Sequence, residues 1–433
     1  MRHVKLLVLA AILSSAAPAA AAVVGSSAPP PSLTLQRIAA LPADQQPAWQ
    51  TYLARSEAQR ATDKATLAAE RAKLTGPLPQ APNEHTHDGS MPLNKDTLWY
   101  AGAEARHIAD VIVSFQTPAG GWGKNADRSG PLRLPGQDYV GNNLSAHLTA
   151  GDFDTPRDRN WDYVGTLDNN ATTTEIRFLT RVAAAQPGKA GDSYRASILK
   201  GIGYLLAAQF PNGGWPQVWP LQGGYHDAIT YNDDAISQAA EVLTAVADND
   251  ANAYDFVPAE TRAKARIAAT KALDVILKTQ IVVNGVPTVW GQQHDSLTLV
   301  PVAARNFEPA LPSSDESADL LIYLMHLPNP SPALVRAIHG AAGWLQKAAI
   351  YGYVWTKPDA DGRHLEAKAG AGPIWSRYYT TDFQPRFGDR DKTIHDAVNE
   401  ISKERRNGYS WFNEGPAKAL KLYAGWAKNH PKP

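Results

Sequence analysis

The stretch "QFPNGGWPQVWP", residues 209–220, decides the fold because the pattern of its first seven residues occurs twice in the chain. "QTPAGGWGKN", residues 116–125, has the same Gln-x-Pro-x-Gly-Gly-Trp pattern, at a separation of 209 − 116 = 93 residues. Each copy directly follows a segment with a 3.6-residue apolar period. Glycines allow a tight turn, and the tryptophan is expected to pin the loop between helices. The repeat predicts a mainly all-α fold, an (α/α) partial toroid or barrel with long irregular loops and few short strands.

The first 22 residues have the features of an export signal. Arg2, His3 and Lys5 precede a short apolar run, and small residues end at Ala22. The apolar run is too short to span a bilayer, so this segment predicts a signal peptide over residues 1–22 rather than an anchor. We expect a periplasmic or extracellular protein.

Two helical patterns, around residues 33–41 and 46–75, precede the repeat. The second carries charge on most turns and is interpreted as a solvated helix. We predict an N-terminal helical lead-in and linker over residues 23–92 and a catalytic toroid over residues 93–433.

Composition excludes several classes of function. The chain has no cysteine, so disulfides, thiolate metal sites and cysteine nucleophiles are ruled out. The formal net charge is zero, so we expect no nucleic-acid partner and no membrane partner. We also expect a monomer. Twelve tryptophans and sixteen tyrosines supply flat rings that suit sugar faces. No phosphate-binding loop, dinucleotide fingerprint, nucleophile elbow or zinc helix motif is present.

Acidic and amide side chains gather where helices are predicted to start. Three groups occupy such positions: Asp168, Asn169 and Asn170, then Asn232, Asp233 and Asp234, and finally Asp315 and Glu316. Each is an expected N-cap, and capping is the favoured interpretation for any one of them. In a toroid, however, alternate helix starts share one rim, so these carboxylates can converge as oxygen ligands for a hard cation such as Ca²⁺.

Three loop arginines accompany the acids: Arg305, Arg377 and Arg390. A loop arginine beside aromatic residues is usually a hydrogen-bond hub or a cation–π partner. Several arginines near an acidic cleft can instead bind substrate carboxylates, because the guanidinium fork matches them. Together, the acids and arginines indicate a polyanionic substrate.

Eight motifs in order resemble polysaccharide lyase family 10, the pectate lyases: "QTPAGGWGKN", "TLDNNATTTEIRFL", "QFPNGGWPQVWP", "GGYHDAITYNDDA", "WGQQHD", "RNFEPALPSSDES", "PIWSRYY" and "FGDRDK". The resemblance runs across about residues 95–415. It implies an (α/α) toroid that cleaves α-1,4-polygalacturonate (pectate) by calcium-dependent β-elimination and releases 4,5-unsaturated oligogalacturonides.

Residue roles follow from the same resemblance. Asp168 is similar to the family's calcium and substrate carboxylate, Asn169 to its substrate-binding amide, and Asp233 to its second calcium carboxylate. Arg305 resembles the base that removes the C5 proton, and Arg377 and Arg390 resemble the arginines that bind galacturonate carboxylates. Because the free pKa of arginine is above ~12, Ca²⁺ and neighbouring cations would have to lower it, and we expect an alkaline optimum.

Other readings of the pattern remain open. A helical-toroid glycoside hydrolase would use two carboxylates and water. A non-catalytic binder would hold acidic glycans without cleaving them. A triterpene cyclase shares a Gln and Trp pattern but needs a fuller acidic motif than "YNDDA", residues 231–235, and an apolar cavity.

Overall fold

The computed structural model describes residues 23–83, 91–141 and 148–432, so the predicted signal peptide at residues 1–22 lies outside the described residues. The described residues contain twelve α-helices and fifteen short strands, so the prediction of a mainly helical fold is confirmed. Within those residues, no helix is both long enough and apolar enough to cross a membrane.

The helices, in chain order, are α1 Leu35–Ala39, α2 Gln46–Arg71, α3 Thr97–Ala101, α4 Ala103–Ser114, α5 Thr173–Ala185, α6 Asp192–Ala208, α7 Ala235–Asp248, α8 Ala259–Thr279, α9 Ser314–His326, α10 Pro332–Lys347, α11 Lys403–Gly408 and α12 Gly415–Trp426.

The long helices fall into two alternating series. In the first series, α4 contacts α6, α6 contacts α8, α8 contacts α10, and α10 contacts α12. In the second series, α5 packs on α6, α7 on α8, and α9 on both α10 and α12. The apolar faces of both series meet in one large core that extends from Leu33 to Trp426.

Four buried tryptophans fix the loops that leave α4, α6, α8 and α10. Each indole Nε1 donates to a backbone carbonyl of the helix just completed, at 2.7–2.8 Å: Trp122 to Ile112, Trp215 to Leu205, Trp290 to Ile276, and Trp375 to Leu345. All four rings are buried in the core. The structural role predicted for the two Gly-Gly-Trp loops is therefore confirmed, and the contact recurs twice more without the glycine pair.

The glutamine that opens each pattern bridges two segments of the chain. Gln209 Nε2 donates to the carbonyl of Gly213 in its own loop and to that of Ala268 in α8, both at 2.9 Å. Gln116 repeats this bridge, to Gly120 and to α6. Gly213 has φ 104° and Gly120 φ 106°. A Cβ at Gly213 would lie 2.2 Å from a carbonyl oxygen of α8, so only glycine fits this close approach.

The strands are β1 Val23–Ser26, β2 Ile229–Thr230, β3 Val282–Val283, β4 Val286–Pro287, β5 Trp290–Gly291, β6 Gln293–His294, β7 Pro301–Val302, β8 Pro312–Ser313, β9 Tyr353–Trp355, β10 Leu365–Ala367, β11 Trp375–Ser376, β12 Tyr378–Tyr379, β13 Pro385–Gly388, β14 Thr393–His395 and β15 Phe412–Asn413.

The largest sheet positions two of the predicted arginines. Its strands are antiparallel in the order β1-β14-β13-β12-β8-β5, with β1 and β5 at its edges. Tyr378 of β12 pairs with Arg386 of β13 on one side and with Ser313 of β8 on the other. Arg377 lies between β11 and β12, and Arg390 lies in the loop between β13 and β14. The smaller antiparallel sheets are β2-β6-β7, β3-β4, β9-β10 and β11-β15.

The interpretation of the α2 segment as a solvated helix is wrong. One face of α2 joins the main core. Trp49 packs against Phe210 with ring centroids 5.4 Å apart. The Tyr52 hydroxyl donates to the carbonyl of Ala208 at 2.9 Å. Spaced apolar residues among many charged ones were enough to bury this face.

Candidate active site

Two polar turns with the same backbone shape precede α5 and α7. The turn Asp168–Asn170 has Asn169 at φ 51° and ψ 38°, and the turn Asn232–Asp234 has Asp233 at φ 52° and ψ 36°. Asn169 and Asp233 are thus equivalent, at a separation of 233 − 169 = 64 residues. Both adopt the left-handed conformation, which asparagine and aspartate tolerate better than other side chains.

The capping interpretation of these acids is wrong. Thr172 precedes α5, Asp234 precedes α7 and Ser313 precedes α9, and none of the three makes a side-chain cap hydrogen bond. The two turns place the Asp168 and Asp233 carboxylates around one amide, since Asn232 Nδ2 donates to Asp233 Oδ2 at 2.9 Å and to Asp168 Oδ1 at 3.4 Å. These side chains contribute to a shared site instead of closing a helix end.

A cavity of about 420 Å³ brings together five of the six predicted site residues: Asp168, Asn169, Asp233, Arg305 and Arg377. The sixth, Arg390, lines an adjoining cavity of about 220 Å³, which shares Lys124, Tyr163 and Arg305 with the first. Asp168 and Arg377, which are 377 − 168 = 209 positions apart in sequence, therefore line the same cavity.

The Asp168 carboxylate is buried and held from two sides. Lys124 Nζ donates to its Oδ2 at 2.5 Å, and Gln217 Nε2 donates to its Oδ1 at 2.6 Å. The Lys124 ammonium also lies 3.5 Å from the centroid of the Tyr163 ring. Burial raises the pKa of Asp168, but Lys124, with smaller contributions from Asp233 and Arg305, leaves this pKa below its ordinary value.

The pKa of Asp233 is shifted in the opposite direction to that of Asp168. Its Oδ2 accepts from the backbone N–H of Asn169 at 3.0 Å and from Asn232 Nδ2 at 2.9 Å. Burial, followed by the negative charge of Asp168, raises the pKa of Asp233. A proton or a cation between the two carboxylates relieves this repulsion.

The carboxylate pair fits a hard divalent cation with an incomplete protein shell. Asp168 and Asp233 offer charged oxygens, which Ca²⁺ prefers. The residues that the structure describes contain no group of three or more His, Cys, Asp or Glu that could hold a metal. An ion here would complete its coordination with water and substrate oxygens.

Arg305 is held by Glu308, three residues further along the chain. The Arg305 backbone N–H and Nε donate to Glu308 Oε2 at 2.9 and 3.0 Å, and Nη2 donates to Oε1 at 2.6 Å. The hydroxyl of Tyr409 donates to the same Oε1 at 2.8 Å. Because Glu308 is only 1% exposed, this ion pair fixes the guanidinium firmly at the cavity wall.

The protein groups around Arg305 raise its pKa, so the lowering of this pKa by Ca²⁺ and neighbouring cations stays a prediction. Burial lowers the pKa, but the Glu308 carboxylate outweighs burial and raises it well above the ordinary value. In return, Arg305 lowers the pKa of Glu308 to about 2, against the raising effect of burial. The guanidinium is therefore strongly stabilised as a cation.

Comparison with known protein families identifies the family of the chain that carries this site. The family model described as pectic acid lyase matches residues 116–420, which include every predicted site residue. The chain belongs to the pectic acid lyase family. No curated protein sequence matches the chain.

Two solved structures resemble this lyase. One is the family 10 polysaccharide lyase from Cellvibrio cellulosa, which is 28% identical, with a TM-score of 0.63 over 81% of this chain and 99% of that one. The other is a mutant of the Cellvibrio cellulosa enzyme in complex with trigalacturonic acid, which is 29% identical, with a TM-score of 0.63 over 81% of this chain and 100% of that one. The resemblance to polysaccharide lyase family 10 is confirmed, and the chain is a polysaccharide lyase.

The other two arginines of the lyase are also paired with acids. Arg377 Nη2 donates to Glu316, and Arg377 Nη1 lies 3.7 Å from Asp315 Oδ2. Arg390 Nε donates to Glu404 Oε2 at 2.8 Å. Each guanidinium is thus oriented by an acid on a neighbouring element, and Asp315 and Glu316 orient Arg377 instead of capping α9.

Two site residues of the lyase escaped the assignment from sequence. Glu308 stands three residues after Arg305 in "RNFE", and this spacing is the signal that could have predicted the ion pair. Lys124 follows the first Gly-Gly-Trp by two positions, so it enters the cavity because Trp122 anchors the loop. Nothing local in the sequence marks Lys124 as the partner of Asp168.

Proposed function

We propose that this lyase cleaves polygalacturonate by calcium-dependent β-elimination, with Arg305 removing the C5 proton and 4,5-unsaturated oligogalacturonides as the products. The observation that carries the proposal is the meeting of the Asp168–Asp233 pair with Arg305 and Arg377 in one cavity. The trigalacturonic acid bound to the similar Cellvibrio cellulosa mutant supports the substrate class.

The residues suit the chemistry of elimination. The C5 proton of galacturonate is α to a carboxylate, so its removal builds negative charge on that carboxylate. Arg377 would bind this group through its fork, and Arg390 would bind a neighbouring uronate. Asp168 and Asp233 would hold Ca²⁺, with Asn169 binding substrate beside them. When bound, Ca²⁺ supplies Lewis-acid stabilisation of the developing charge.

Arg305 would take the proton as a neutral guanidine, and the C5–H electron pair would form the C4–C5 double bond as the C4–O4 bond breaks. O4 would leave on the other chain and take a proton from solvent, so no water is added across the broken bond. Glu308 favours the cationic form, so the neutral fraction is small and grows with pH. We expect kcat to rise through the alkaline range. A rate that peaks in acid and disappears above neutrality would contradict the assignment of Arg305 as the base.

The deciding experiment follows the near-ultraviolet absorbance of unsaturated product from polygalacturonate with Ca²⁺. A lyase gives absorbance that a chelator abolishes and added Ca²⁺ restores. A hydrolase gives reducing ends without absorbance, a binder gives neither, and a cyclase ignores the sugar.

The variant Asp233→Asn tests the calcium site separately from the fold. It keeps the left-handed turn but removes one ligand charge, so it should need at least about tenfold more Ca²⁺ for half-maximal rate. Asp319→Asn, an acid on α9 that does not line the cavity, is the matched control. An unchanged Ca²⁺ requirement in Asp233→Asn would remove this residue from the site.

We further propose that the two helix series form an (α/α) partial toroid, and that the protein is exported after loss of residues 1–22 and acts as a monomer without a membrane or nucleic-acid partner. The alternating helix contacts support the toroid. N-terminal sequencing of the secreted protein and its hydrodynamic mass test export and oligomeric state.

A further inference from the structure

A third cavity, of about 220 Å³, lies beside the catalytic one and is partly built by the N-terminal segment. Pro29, Pro30 and Ser32 form one wall, and Arg60 of α2 contributes another. These residues precede residue 116, so they lie outside the part of the chain that matches the family model. The remaining walls come from a loop around Arg157 and from residues 222–226.

Two guanidinium groups give this N-terminal pocket positive charge. Arg157 Nη2 donates to Ser32 Oγ at 2.9 Å, and Arg60 lines the same space. Among the residues that the structure describes, neither arginine forms an ion pair with a carboxylate.

Two carboxylates, Asp158 and Asp162, also line the pocket. Lys64 pairs with Asp158 and offsets its charge, and burial raises the pKa of Asp162 to about 7. Both guanidinium groups line the pocket, where they also interact with the buried Asp227 carboxylate, and fork-shaped cations of this kind bind anions.

The N-terminal pocket adjoins both cavities of the catalytic site. Tyr225 lines the N-terminal pocket and the catalytic cavity. Phe153 and Thr155 line the N-terminal pocket, whereas Asp154, between them in sequence, lines the cavity that contains Arg390. Lys392 Nζ lies 5.1 Å from the centroid of the Phe153 ring. Two cations, Arg390 and Lys392, therefore lie near residues of the N-terminal pocket, alongside the Asp154 carboxylate.

We propose that the N-terminal pocket is a distal subsite that binds a galacturonate carboxylate of a polymer whose reacting residues occupy the catalytic cavity. The proposal rests on the proposed function for its substrate class. Fork-shaped cations match uronate carboxylates, while the Phe153 ring and the proline rings offer apolar surface to a sugar face. In this arrangement the N-terminal segment extends the substrate groove, and only chains longer than those filling the catalytic cavity gain from it.

The double substitution Arg60→Gln/Arg157→Gln tests the subsite. We expect KM for polygalacturonate to rise roughly tenfold, as for the loss of one to two charge-assisted hydrogen bonds, with kcat unchanged. KM and kcat for trigalacturonate should stay at the wild-type values. Arg336→Gln, an exposed arginine on α10, is the matched control and should change neither substrate.

A second variant guards against a folding defect in the double substitution. Thr155→Glu places a negative charge at an exposed rim position and should also raise KM for the polymer alone. An unchanged KM for the polymer in both variants, or an equal rise for trimer and polymer, would overturn the subsite. Failure of the wild-type lyase to cleave polygalacturonate would instead reject the proposed function. Calorimetric titration of wild type and the double variant with galacturonate octamer would then test the pocket directly, and equal affinities would overturn it.

Discussion

The Gly-Gly-Trp loops and the polar turns belong to the same helical repeat but serve opposite purposes. Trp122 and Trp215 are buried and bond back to the helix that precedes them. Asn169 and Asp233 adopt matching left-handed turns before the next helix, yet their side chains differ. The loop keeps its residues identical because packing demands the same shape each time. The two polar turns share one backbone conformation but carry different side chains at equivalent positions. The carboxylates of Asp168 and Asp233 therefore come from different positions of the turn.

This difference separates stability from chemistry along the chain. Substitutions in the loops should lower the free energy of unfolding while the remaining folded enzyme keeps its kcat. Substitutions around the turns and their partners should lower activity while the fold persists. Arg305→Lys and Trp215→Phe test that separation, while Glu308→Gln and Ser331→Ala test the energetics of an ion pair and of a helix cap; the four follow in order of decreasing size.

Arg305→Lys should have the largest effect. Lysine keeps a positive charge for Glu308 but moves the proton acceptor, so kcat should fall about 10²- to 10⁴-fold, the usual contribution of a positioned acid or base. Steady-state assays on polygalacturonate measure this, with circular dichroism to check the fold. Arg336→Lys on α10 is the control, and near wild-type kcat in Arg305→Lys would exclude Arg305 as the base.

Glu308→Gln should change how stability depends on pH. The pKa of Glu308 falls from 4.5 to about 2 on folding, so its charge stabilises the fold above pH 4.5 and this contribution is lost as pH falls toward 2. The contribution is on the order of 3 kcal/mol. The wild-type protein should therefore lose stability over this range more steeply than Glu308→Gln in urea titrations. Glu57→Gln, at an exposed position on α2, should leave the slope unchanged.

Trp215→Phe should weaken the loop without changing the chemistry. The substitution leaves the Leu205 carbonyl without its buried donor, which should lower the free energy of unfolding by about 1–3 kcal/mol. Urea denaturation measures the loss, and kcat per folded molecule should stay constant. Trp99→Phe is the control, because the Trp99 indole donates to Glu104 at an exposed position. A fall in kcat with unchanged stability would place Trp215 in the groove instead.

Ser331→Ala should have the smallest effect. Ser331 is a true N-cap, since its Oγ accepts from the Leu334 N–H at 3.2 Å, so its loss should cost about 1 kcal/mol. Asp234→Asn is the contrast, because Asp234 precedes α7 without a side-chain cap bond and should cost less. Equal losses in thermal denaturation would mean that the acidic turns do act as caps.

Much of the fold was predictable because its signals are local. The Gln and Gly-Gly-Trp pattern marked two of the four anchored loops. Trp290 and Trp375 make the same bond in "VPTVWG" and "GPIWSR", where no glycine pair precedes the tryptophan. Their anchoring depends on tertiary contact, which no local sequence pattern encodes.

The sheet and the ion pairs were not predictable for a similar reason. Several strands in the largest sheet have two residues, which is too short for an alternating pattern, and Trp290 of β5 pairs with Ser313 of β8 only because the core brings them together. The site acids were predicted from their positions at expected helix starts and from the family resemblance. The capping interpretation of them was wrong, since a left-handed turn separates Asp168 and Asp233 from the cap geometry. The effect of Glu308 on Arg305 required the burial of both groups to be known.

Strand β1 has a practical consequence for handling the enzyme. Val23 pairs with His395, and Ser26 pairs with Thr393 of β14, the strand that follows the loop bearing Arg390. Proteolytic trimming past Ser26 would expose the outer backbone of β14, a surface that invites sheet-to-sheet association between molecules. Preparations shortened there should lose solubility during storage, so affinity tags are better attached after α12 than ahead of Val23.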